Sequence, residues 1–171
     1  SRALAQFVRA MVSYRSKFDT AFVGGAPNFA AVFTPAELQG QQIFTGRARC
    51  AQCHTTIAHA GDGIRNNGLD AVTVDAGAGN ARFKVPSLRN IAVRAPYMHD
   101  GRFATLREVI DFYDGGVQPH PNLDPRLVAP GGVPLRLNLT PVEKDALEAF
   151  LRTLTDDALL NDPKFSDPFP R

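Results

Sequence analysis

The sequence predicts an all-α domain in which a few short helices are joined by long loops. Three observations carry this reading. Thr34-Pro-Ala-Glu37, Thr105-Leu-Arg-Glu108 and Thr140-Pro-Val-Glu143 each place Glu three residues after Thr, the reciprocal capping box that opens a helix, and two of them add Pro at the first helical position. No stretch alternates apolar and polar residues for long enough to make a strand. Between the capped segments, residues 61–79 are rich in Gly, Asn and Asp and residues 115–134 in Pro and Gly, compositions that favour loop.

Taken in order, Leu4, Phe7, Val8 and Met11 recur at helical spacing, so residues 1–20 are expected to form an amphipathic helix that reads as a piece of something longer. Residues 21–33 are expected to be a linker, residues 34–156 the main domain and residues 157–171 a C-terminal extension. Within the main domain the first helix should run from Thr34 to about Gly46, the second from Thr105 to Gly115 and the third from Thr140 to about Leu154. The second carries Leu106, Val109, Ile110 and Tyr113 as one apolar stripe.

With 171 residues, 44% of them hydrophobic, the chain suits one domain with attachments. A formal net charge of +2, with no run of Lys or Arg, is too small to imply a nucleic-acid footprint. No apolar run approaches the roughly 18 residues of a membrane span.

So few helices are short of core, and one motif says what fills the centre. Cys50 and Cys53 are the only two cysteines, and His54 follows at once. Cys-x-x-Cys-His reads as c-type haem attachment, the thiols adding to the porphyrin vinyl groups and the His supplied to the iron. A zinc site would want two more ligands at similar spacing, and His59, His99 and His120 are scattered. A thioredoxin-type motif would want a βαβ setting, which is not visible. The helices agree with a class I cytochrome c-like domain around one covalently bound haem. Gly40 and Phe44 share one helical face and Leu147 and Phe150 another, as required for a first helix to cross a last one.

"IFTGRARCAQCH", "RFKVPSLRNIAVRAPYMHDGRFATLREVIDFYDGG" and "LNLTPVEKDALEAFLRTL" resemble the C-terminal half of the bacterial di-haem cytochrome c peroxidase family, especially its MauG-like branch. Even residues 1–19 resemble the helix that ends the family's first half. The resemblance implies a periplasmic oxidoreductase in which this haem relays electrons to a peroxidatic haem in an N-terminal domain of the same protein. A small redox protein is then the donor or acceptor. By itself this chain is expected to transfer electrons; a free-standing single-haem peroxidase and a simple monohaem cytochrome are the alternatives.

Three residues compete for the iron face opposite His54. Met98 would be a soft thioether ligand, His99 a nitrogen donor and Tyr113 a hard phenolate. Read from periodicity, Tyr113 could equally be core on its stripe, Met98 could pack on the porphyrin edge, and His99 reads better as a hydrogen-bonding residue beside the haem. The resemblance favours Tyr113, since MauG-like members carry Tyr at this distance from the His. It also implies a calcium ion bound by the backbone carbonyls of Arg94 and Pro96, although Arg94 stands where the family has Thr and a further ligand belongs to the other half. Asp62, Asp70 and Asp75 lack calcium-loop spacing. "GDGIRNNG" and "GAGNAR" read as plain loops, and His59 and His120 as solvated loop residues. Arg82, Lys84 and Arg89 are candidates to neutralise haem propionates.

Overall fold

The computed structural model describes residues 2–22, 26–61, 63–167 and 169. Ser1, residues 23–25 of the expected linker, Asp62 and residues 168, 170 and 171 of the expected extension lie outside the described residues.

The helices are α1 (Arg2–Ala10), α2 (Lys17–Thr20), α3 (Phe29–Val32), α4 (Pro35–Thr45), α5 (Leu106–Asp111), α6 (Pro141–Arg152) and α7 (Asp157–Leu160). Thr34, Thr105 and Thr140 are the N-caps of α4, α5 and α6, each with its capping box closed in both directions. The expected helix over residues 1–20 divides in two. α1 buries no residue, whereas α2 opens on its own capping box from Ser16 and Asp19 and buries Phe18. The only paired strands among the described residues are β1 (Ile64–Arg65) and β2 (Phe83–Lys84), antiparallel with Ile64 opposite Lys84. A ladder two residues long is too short to show as alternation.

α4 crosses α6 at the centre of the domain, and Gly40 makes the crossing possible. A Cβ at Gly40 would fall into the Ala146 carbonyl and within 2.8 Å of the Phe150 Cβ. Phe44 then meets Phe150 with ring centroids 5.1 Å apart. Around this pair lies the main core, which includes Phe18, Ile43, Leu106, Ile110, Leu147 and Leu154. A smaller core of Leu69, Phe112 and Val117 meets it through Phe103, with Met98, Tyr113, Leu123 and Leu127 packed against it.

The helix from Thr105 does not continue as α-helix to Gly115. At Phe112 the chain opens into one π-turn, Phe112–Gly116. A π-turn inserts an extra residue and so rotates the side chains beyond it. The apolar stripe therefore splits: Leu106, Val109 and Ile110 face the main core, and Tyr113 faces the smaller one. Asp114 pins the turn, accepting from the Leu139 backbone at 2.8 Å and from Lys144 at 2.7 Å.

Candidate functional site

Cys50, Cys53 and His54 fold as a single turn. A 3-10 turn spans Cys50–Gln52, and the backbone N–H groups of Cys53 and His54 both donate to the Cys50 carbonyl, at 3.1 and 3.0 Å. Arg49 enters this turn with φ 57°, the left-handed conformation, which sharply reverses the chain leaving α4. Both thiols are free and half-buried. Burial pushes the Cys50 thiol up to about 12, so it is a neutral S–H and not the thiolate a redox motif needs.

The His54 ring is oriented by two backbone carbonyls. Its Nδ1 lies 2.8 Å from the His59 carbonyl and 3.1 Å from the Pro86 carbonyl. Both partners only accept, so Nδ1 carries the proton and Nε2 keeps its lone pair for a metal. Burial moves the imidazole below its ordinary range, which keeps it neutral, the state in which it can coordinate. The His59 carbonyl is fixed in turn by the Leu88 N–H at 3.3 Å, and Ser87 ties the same loop to the Ala58 carbonyl.

Tyr113, on the π-turn, lies near enough to both thiols that their ionisation would oppose its own. Burial, chiefly, pushes its phenol up to about 12, so the protein alone keeps it protonated. Its oxygen accepts from Asn67 Nδ2 at 3.3 Å, and the same nitrogen lies 3.6 Å from the Met98 sulfur. Met98 itself has φ 72°. Asn67 thus joins Tyr113 to Met98, and Tyr113 lies within electrostatic reach of Cys50 and Cys53.

His99 is not gathered with them. It is exposed and stacks on Phe83 at 3.7 Å between ring centroids. Arg94 and Pro96 are likewise exposed, and the described residues contain no group of three or more His, Cys, Asp or Glu side chains fit for a metal ion.

Several other readings change. His59 and His120 are not solvated; they are 7% and 9% exposed. His59 stands among aromatic rings, 4.6 Å from Phe18 and 5.7 Å from Phe44, with its Nδ1 buried and unpartnered. His120 bonds Asn66 and Thr73. Arg89 bonds Asp19 and the Ile57 carbonyl. Two residues that sequence reasoning missed belong to the site. Asn67 lies in a stretch that reads only as loop, and Arg126, whose Nη1 lies 3.4 Å from the Cys53 sulfur, has no local signal at all.

The donor set fits a c-type haem: two thiols not joined in a disulfide, an imidazole whose Nδ1 is tied to carbonyls so that Nε2 is left to coordinate, and an oxygen and a sulfur donor that share the Asn67 amide. The sequence matches the cytochrome c family model over residues 38–155. It is 34% identical over 162 residues to the methylamine utilization protein MauG of Methylorubrum extorquens, covering 89% of this chain and 42% of that protein. It is 31% identical to the cytochrome c551 peroxidase of Nitrosomonas europaea, covering 91% of this chain and 43% of that protein. Among solved structures it resembles a MauG-like protein associated with microbial copper homeostasis, with TM-score 0.76, 34% identity and 97% of this chain against 59% of that one. The chain spans less than half the length of the two curated relatives.

Proposed function

The chain belongs to the cytochrome c family and, within it, to the MauG-like di-haem peroxidases; from that premise we propose that it is the electron-relay domain of a longer periplasmic oxidoreductase. A cytochrome c domain implies a covalent c-type haem, which supplies one-electron Fe(III)/Fe(II) chemistry. Cys50 and Cys53 would hold it, each S–H adding across one vinyl C=C with no atom lost. His54 would present Nε2 to the iron, with Nδ1–H bound to the carbonyls of His59 and Pro86.

The observation that carries the relay reading is Tyr113, an oxygen donor held on a pinned π-turn and bonded to Asn67. His54 and Tyr113 would be the two protein ligands of the haem iron, so that little would reorganise when the charge changes and no position would be left for peroxide. Tyr113 would ligate as its phenolate, a hard anionic oxygen donor that would favour Fe(III). Met98 is the second candidate for that position. A calcium ion on the Arg94 and Pro96 carbonyls would need ligands from outside this chain. The peroxidatic haem and its pocket belong to the other half of the longer protein, and a small redox protein exchanges electrons with the pair.

Steady-state assays on the haem-loaded chain, alone and joined to that other half, test this. The chain alone should be reduced and reoxidised by small mediators, with negligible peroxide-dependent oxidation of a reduced cytochrome until the halves are joined. Rapid turnover by the chain alone would replace the relay by a single-haem peroxidase.

A further inference from the structure

Asn66-Asn67-Gly68, which reads as plain loop, is a built turn. Gly68 has φ 70°, and a Cβ there would stand 2.7 Å from the Gln118 carbonyl oxygen and 2.8 Å from Val117 Cγ1, so no other residue closes the turn at this place. Asn66, buried beside it, accepts from the Gly68 N–H at 2.8 Å and approaches His120 Nδ1 with its amide nitrogen at 3.1 Å. The backbone of Asn67 is therefore held between two fixed neighbours.

The Asn67 side chain has only one way to point. Its Oδ1 accepts from the Leu69 N–H at 3.3 Å, which turns the NH2 end toward the opposite side. There Nδ2 donates to the Tyr113 oxygen at 3.3 Å and approaches the Met98 sulfur at 3.6 Å. Two candidates for one coordination position share one donor.

We propose that Asn67 is a positioning residue that selects the axial ligand, holding the Tyr113 oxygen in the pocket while engaging the Met98 sulfur, so that oxygen and not sulfur meets the iron. This rests on the reading of Tyr113 as the ligand opposite His54. The selection follows from the unequal value of one N–H to two acceptors. A phenolate oxygen has lone pairs enough to bind a metal and accept a hydrogen bond together, and a bond to an anion is roughly twice as strong as one to a neutral acceptor. A thioether is a weak acceptor. The donor stabilises oxygen ligation by about tenfold over sulfur ligation, the size of one charge-assisted bond against a neutral one.

The test uses the haem-loaded chain with Asn67→Ala, Asn67→Asp, Met98→Leu and Tyr113→Phe, read by the ferric spectrum, the reduction potential and cyanide affinity. Asn67→Ala should gain a sulfur-to-iron charge-transfer band and shift the potential upward by at least about 59 mV, a tenfold change for a one-electron couple. Asn67→Asp, which fills the same space without an N–H, should do the same. Adding Met98→Leu to Asn67→Ala should remove the band and leave cyanide binding about tenfold tighter than in the wild type. If Tyr113→Phe changes the spectrum while both Asn67 variants keep the wild-type spectrum, potential and cyanide affinity, the selection is overturned and the ligand assignment stands. If Tyr113→Phe itself leaves the spectrum unchanged, the assignment falls and the selection falls with it.

Discussion

Arg89 grips Asp19 with both prongs of its guanidinium, Nη2 on Oδ1 at 2.7 Å and Nη1 on Oδ2, and with the same Nη2 reaches the Ile57 carbonyl at 3.2 Å. The pair ties the segment before the cytochrome c match to the loops that support His54. Its side chains are only 11% and 16% exposed, and Phe18, one residue before Asp19, donates its backbone N–H to Thr153 at 3.0 Å.

Asp19→Asn should therefore cost about 2–3 kcal/mol, because it leaves a largely buried guanidinium without its counter-charge. Denaturant unfolding at neutral pH measures this. Burial alone would raise the Asp19 carboxyl, but the bonds from Arg89 and Ser16 outweigh it and hold the group below its ordinary range. The stabilisation is then complete above the ordinary carboxylate range and is lost as the pH falls through the lowered folded-state value. The protection of the Phe18 amide against exchange, relative to its intrinsic rate, should fall there, and in the Asp19→Asn variant it should already be low at neutral pH.

Gly40→Ala should cost about 3 kcal/mol, since the added methyl cannot fit beside the Ala146 carbonyl and the Phe150 Cβ without separating α4 from α6. A matching change at Gly115, where a Cβ would meet nothing within 4 Å, should cost far less. Thermal melts of the two variants compare them directly.

The contrast between these positions shows what a sequence can display. The capping boxes at Thr34, Thr105 and Thr140, the Cys50, Cys53 and His54 turn and the Gly40 crossing are local or strictly periodic, and each lies where residue spacing predicts. The π-turn at Phe112 has no such signature, because it depends on Asp114 meeting Leu139 and Lys144 from a distant segment. Asn67 and Arg126 are illegible for the same reason: their role comes from what the fold sets opposite them. His59 and His120 look solvated because loop composition says nothing about which loops are folded inward.

His59 offers a test of that last point. Its ring lies in an aromatic cluster with Nδ1 unpartnered, while its backbone carbonyl, not its side chain, orients His54. His59→Phe should stabilise the chain by about 1 kcal/mol by removing a buried polar atom that has no hydrogen bond. His59→Ala should destabilise it by about 3 kcal/mol through the cavity left beside Phe18 and Phe44. Neither should release the haem, since the carbonyl remains. Equilibrium unfolding of the three proteins measures the signs.

Covalent attachment is the prediction on which the functional reading depends first. Cys50 and Cys53 are free thiols on one turn, three residues apart, and Cys50 is held as a neutral S–H that does not drift into a disulfide as a thiolate would. A neutral thiol beside an alkene is the reactant for thioether formation, with S–H and C=C becoming C–S and C–H. Acidic acetone should therefore fail to extract the porphyrin from the wild-type chain. Cys50→Ala and Cys53→Ala should each retain one thioether and show one unreacted vinyl group by mass spectrometry. The double variant should release all of its porphyrin. Extraction from the wild type, or a fully bis-linked product from either single variant, would remove these two residues from the site and with them the case for His54 as the proximal ligand.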